Sequence, residues 1–165
     1  MPLDIPDGTH CFIDANIFHY ALVPTFDTSP ACLALVDRAM TGLISMSVSL
    51  HVLSDALHKA MTSEAAQLAG RERAGIVGYL KRHPEMIAQL TEWPQAVERL
   101  KVVPKQILLA DAELLYDATR VAQTHGLLTN DAIIVALMQR HGITHLATND
   151  DDFDRVPGIT VWKPR

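Results

Sequence analysis

Nothing in these 165 residues has the makings of a membrane span, for no uninterrupted apolar run approaches the roughly 18–20 residues required. The N-terminus lacks the basic-then-apolar pattern of a signal peptide, which predicts a cytoplasmic protein with no membrane partner. Cysteine is scarce: Cys11 and Cys32 sit among apolar neighbours, without CxxC or His/Cys ligand spacing, and read as reduced core residues. Positive charge is also short, with 14 basic against 19 acidic residues and a net charge of −5. That excludes nucleic-acid binding by bulk positive charge, though not binding through metal ions and a local basic face. Repeats, low-complexity tracts and flexible linkers are missing as well. What remains is ordinary globular composition, 48% hydrophobic and 20% charged, at a length suited to one core.

The charge is unevenly placed. Between Lys59 and Lys105 there are eight Lys or Arg and five Glu, a net of +3, whereas the rest carries six basic and fourteen acidic residues, a net of −8. A basic middle segment is thus flanked by acid-rich ends. By itself such a segment is most simply a solvated helical pair of mixed charge.

Short apolar runs alternate with helical periodicity. Residues 11–14 (CFID) read as a buried strand, followed by a helix over 15–22 that Pro24 ends. Ser29-Pro30 marks the start of a second helix, with Leu33, Val36, Ala39 and Met40 in period and Gly42 as its stop. A strand is expected over 43–47, then a helix capped by Ser47 or Ser49 with Leu50, Leu53, Leu57 and Met61 as its apolar stripe. Residues 62–100 are helical by composition, broken near His83-Pro84 and Trp93-Pro94. Val102-Val103 is a candidate third strand, and helices follow over 111–124 and 130–141, stopped by Gly126 and Gly142. Strands over 143–148 and 159–163 surround an acidic turn. Strands alternating with helices indicate an α/β domain with a mainly parallel sheet.

In such sheets ligands bind beyond the carboxyl ends of the strands, and several aspartates fall there. Asp14 closes the first strand; Asp150 follows the strand ending at Thr148, with Asp151, Asp152 and Asp154 behind it. Asp131 opens the preceding helix, and Asp55 lies in the helix after the second strand. Each has a plainer reading alone: Asp14 as an N-cap, Asp131 as a macrodipole partner, the acidic turn as a solvated loop, Asp55 paired with His51, His58 or Lys59 on an exposed face. Converging carboxylates would need cations or raised pKa values, and an all-oxygen cluster suits Mg²⁺ or Mn²⁺.

Four stretches, FIDANIFHYAL, SVSLHVLSDALHK, GLLTNDAIIVALMQRHGI and THLATNDDDFDRVPGITVW, resemble in order the PIN-domain family, and within it the VapC-type toxin ribonucleases. The resemblance spans nearly the whole chain except the basic segment. It implies a single PIN-like domain over 1–165, a three-layer α/β/α sandwich with an α-helical insertion at about 62–103. It also implies an acidic pocket for Mg²⁺ or Mn²⁺ that hydrolyses RNA phosphodiesters, with a cognate antitoxin as partner. By motif match Asp14, Asp131 and Asp150 become metal ligands, Asp152 an accessory carboxylate, and Asn16 and Thr148 supports. The second acidic position carries Asp55 where the family generally has Glu. One methylene less shortens the reach by roughly 1.3–1.5 Å, so Asp55 becomes a ligand or a group that orients water. Apart from the resemblance, Arg71, Arg73, Lys81 and Arg82 of the basic segment are expected either to contact phosphates outside the pocket or to belong to a helical hairpin that packs against a second subunit.

Two rivals remain. A phosphatase using Asp14 as nucleophile would want an acid where Asn16 stands; a PIN-fold binding module would have lost efficient metal binding through Asp55. Met86, Ile87, Leu90 and Trp93 form an apolar cluster in the middle segment. It predicts a homodimer or an antitoxin groove shared with the helix from Ser29 to Met40, against the alternative of a satellite core.

Overall fold

The computed structural model describes residues 3–23 and 27–164. Its centre is a five-stranded sheet, all parallel: β1 (His10–Ile13), β2 (Ser45–Ser49), β3 (Gln106–Leu108), β4 (His145–Ala147) and β5 (Thr160–Trp162), in the order β3-β2-β1-β4-β5. Phe12 lies opposite Ser47 of β2 and Leu146 of β4, so β1 is the middle strand. Its Cys11, Phe12 and Ile13 are fully buried, as a parallel strand covered on both faces requires.

The helices are α1 (Ala15–Leu22), α2 (Ser29–Met40), α3 (Leu50–Leu68), α4 (Ile76–Arg82), α5 (Glu92–Val102), α6 (Ala112–His125) and α7 (Thr129–Arg140). From β1 to β3 the chain steps one way along the sheet, and from β3 it returns past β1 to β4. Right-handed crossovers therefore set α1–α5 on one face and α6–α7 on the other. Contacts of α1 with α2 and α3, of α3 with α5, and of α6 with α7 match this α/β/α layering. The expected helix stop at Pro24 lies outside the described residues. Cys11 and Cys32 are both buried and unbridged, and burial pushes their thiols up to about 12. No described helix is long and apolar enough to cross a membrane.

The sheet departs from the sequence expectation at two strands. β2 runs two residues later than predicted, because two of its four buried positions, beside Met46 and Val48, are serines. Ser47 is buried against His10 Nε2 (2.7 Å), and Ser49 caps α3 by accepting from the Val52 N–H. The third strand is not Val102-Val103 but Gln106–Leu108. Val102 closes α5 and Pro104 forces Val103 into an extended conformation, which ends the helix before the strand begins.

The basic segment is held by an unforeseen device. Pro94 does not break the chain but lies in the first turn of α5, where a missing N–H costs nothing. The other N-terminal donors go to one buried carboxylate: Glu64 of α3 accepts from the backbone N–H groups of Thr91 (2.6 Å), Glu92 (2.9 Å) and Trp93 (2.7 Å). Beside this clamp Ala65, Ala66, Ile76, Leu80 and Leu90 form a second core, flanked by Met61, Tyr79, Met86 and Trp93. The apolar cluster assigned to an interface is therefore largely spent inside the chain. Leu90 is buried and only Ile87 stays open, at 38% exposure.

Candidate metal centre

β2 and β3 lie on one side of β1 and β4 and β5 on the other, so the topological switch point falls between β1 and β4, and a crevice opens beyond their carboxyl ends. Asp14 follows β1 directly. Its extended backbone starts α1, and Oδ1 accepts from the Ala15 N–H at 2.6 Å. Oδ2 accepts from Asn16 Nδ2 (2.6 Å) and Thr148 Oγ1 (2.7 Å). Thr148, buried at the end of β4, also accepts from Asn16 Nδ2 (3.0 Å) and from the Asp150 N–H (3.0 Å). Asn16 Oδ1 accepts from the Asn149 N–H at 3.0 Å. The N-cap reading of Asp14 thus holds, and one network ties the ends of β1 and β4 together.

Asp131, in the first turn of α7, meets Asp150 and Asp152 from the turn after β4. Each of the three offers an oxygen within 4.8 Å of the other two. The turn is shaped by the Asp152 N–H donating to Asp150 Oδ1 (2.8 Å). Its other acids leave the pocket: Lys163 bonds to both Asp151 and Asp154, while Arg155 pairs with Asp152 from the rim. Burial first, and then the charges of Asp150, Asp14 and Asp152, push the Asp131 carboxyl up to about 6. Asp14 is raised too, by burial above all, with Asp150 adding to the rise and the Thr148 and Ala15 hydrogen bonds and Lys59 opposing it. Four carboxylates therefore share one field, and an all-oxygen set at this spacing fits a hard divalent cation.

Asp55 stands apart from the three clustered oxygens. On α3 its Oδ2 is 2.8 Å from Lys59 Nζ, and both side chains are partly exposed. Sequence reasoning had that pairing as an option but missed where the pair faces. Lys59 lines a groove of about 350 Å³ with Asn16, His19, Tyr20, Arg73 and Asn149. Its charge acts on Asp14, Asp131 and His19. His19 is buried, and desolvation, aided by Arg73 and Lys59, lowers its imidazole to about 4, so it is neutral near pH 7. Of the four basic residues singled out, only Arg73 reaches the groove. Arg71 stacks over the Tyr79 ring at 4.4 Å, and Lys81 and Arg82 are exposed at the end of α4.

A five-stranded parallel sheet with aspartates gathered at its switch point defines the class: an α/β protein with an acidic pocket at the carboxyl edge of the sheet. The chain belongs to the PIN domain family, whose model matches residues 11–159. It is 25% identical over 155 residues to Ribonuclease VapC6 of Methanocaldococcus jannaschii, covering 94% of this chain and 97% of that protein. Its fold is similar to VapBC2 from Rickettsia felis bound to a promoter DNA fragment (TM-score 0.56, 16% identity, 94% of this chain and 98% of that one). It is also similar to VapC20 of Mycobacterium tuberculosis, a toxin that cleaves the sarcin-ricin loop (TM-score 0.57, 17% identity, 87% and 92%).

Proposed function

We propose that this chain is a Mg²⁺- or Mn²⁺-dependent endoribonuclease, the toxin of a toxin–antitoxin pair. The observation that carries the reading is the convergence of Asp131, Asp150 and Asp152 beside Asp14 at the switch point of a PIN fold. The relative named as a ribonuclease, matched over nearly its full length, supports the reaction class. Asp131, Asp150 and Asp152 would hold the ion, with Asp14 adding its charge. Such an ion supplies Lewis-acid stabilisation to a phosphodiester and its attacking water. The residues do the positioning. Asn16 and Thr148 lock the Asp14 carboxylate, whose Oδ2 is fully engaged, so its negative charge cannot swing away from the pocket. Arg73 and Lys59 offer cations to the phosphates of a strand lying in the groove.

Purified protein should cleave RNA when Mn²⁺ is present, and both EDTA and Asp131→Asn should abolish cleavage. Metal-independent cleavage, or full activity in the variant, would reject the reading. One observation favours the rival binding module: Lys59 already engages the Asp55 carboxylate. RNA binding without cleavage at any Mn²⁺ concentration would select it. An antitoxin and a homodimer belong to the same proposal, with exposed Leu33 and Met40 of α2 as the apolar groups a partner would cover. Sedimentation of the chain alone and with its genomic neighbour tests both.

A further inference from the structure

The geometry points to a one-ion centre, in which the Lys59 ammonium takes the place of a second divalent cation. This rests on the acidic pocket being a metal centre and concerns how its charge is divided. The pocket has two halves. In the first, Asp131, Asp150 and Asp152 bring oxygens within 4.8 Å of one another, close enough to share one ion. The second half is Asp14 with the Lys59 charge that acts on it, and the carboxylates on this side already carry partners. Asp14 takes three hydrogen bonds, from Ala15, Asn16 and Thr148. Asp55 takes the ammonium of Lys59 at 2.8 Å.

Lys59 is more than a surface partner for Asp55. It lies one helical turn further along α3, lines the groove beside Asn16 and Asn149, and its charge is felt by Asp14 and Asp131. Like a bound ion, an ammonium is a compact charge; it carries three donors, of which Asp55 uses one, leaving two for substrate oxygens or water. Unlike an ion, it is tethered and cannot dissociate. A second divalent cation binding at Asp55 would sit against its positive charge. Arg155 does not play this part at the first half: it approaches Asp152 from the rim, anchored on the Gly126 carbonyl at 3.0 Å.

Mn²⁺ binding to the full chain, followed by the paramagnetic resonance of free Mn²⁺ up to millimolar concentration, tests the division without recourse to activity. Wild type and Lys59→Arg should each bind one Mn²⁺ per chain. Asp131→Asn should lose it, and Lys59→Met should bind two. Circular dichroism checks that each variant keeps the fold, which a partly exposed side chain such as Lys59 does not control. Two ions in wild type, or one in Lys59→Met, would overturn the role of Lys59 while leaving the metal centre standing. No bound Mn²⁺ in wild type would overturn the metal centre itself.

Discussion

Asp131→Asn should stabilise the metal-free protein near neutral pH while abolishing its response to Mn²⁺. A carboxyl displaced from its ordinary 3.8 to about 6 disfavours its charged form by about 3 kcal/mol. Partial exposure and salt screening cut this to roughly 1.5–2.5 kcal/mol. Losing a negative charge in the first turn of α7 costs about 0.3–1 kcal/mol of macrodipole interaction. The net gain is roughly 0.5–2 kcal/mol, or about 1–8 °C in Tm for a chain of this size. The pH dependence has a definite sign. The native carboxyl holds its proton to higher pH than the unfolded one, so wild-type stability from this group is fullest below about pH 4 and falls as pH rises through about 6. In the amide variant this fall is absent, and the two proteins converge in acid. Thermal melts in EDTA across this range provide the assay. Added Mn²⁺ at a hundred times its Kd should return about 2.7 kcal/mol to wild type and nothing to the variant. A variant that melts below wild type in EDTA at neutral pH, or keeps the undiminished wild-type pH slope, would refute the crowded-carboxylate picture.

Asp14→Asn should also abolish RNA cleavage, but here the metal-free Tm should fall: the amide sets a donor against one of three donating groups, at a cost of about 1–3 kcal/mol. Unchanged cleavage would remove Asp14 from the site. Glu64→Gln should destabilise by roughly 1–3 kcal/mol, since its NH₂ must face an N–H of α5, with the loss visible as faster amide exchange at Thr91–Trp93. Exchange rates equal to wild type would show that water caps α5 equally well. Leu90→Glu should lower stability by about 3 kcal/mol or more through its charge in the second core. A change in sedimentation with an unaltered melt would instead assign Leu90 to an interface.

The sequence by itself determined the alternation of strands and helices around a parallel sheet and put aspartates at its strand ends. Apolar runs ended by Asp14 and by Thr148-Asn149-Asp150 are local patterns, and the parallel topology sends such strand ends to one edge. What only the tertiary structure decided were the pairings between distant segments. Asp151 and Asp154 look like pocket acids beside Asp150 and Asp152, but Lys163, from the far end of β5, draws them away. β2 was hard to read because its serines are buried through hydrogen bonds to His10 and to the start of α3, partners that hydrophobic periodicity does not register. The apolar cluster around Leu90 had no evident cover in sequence; α3 supplies it with Ala65 and Ala66, while Glu64 from the same turn holds α5 in place. Lys59 is the sharpest case. Its spacing from Asp55 permits an ordinary surface pair, and only the packing of α3 against α1 turns that pair toward the groove beside Asp14 and makes the ammonium part of the site. Local sequence encodes which groups carry charge. Which charges meet is set by packing, because the free energy of each pairing depends on distances that only the folded chain defines.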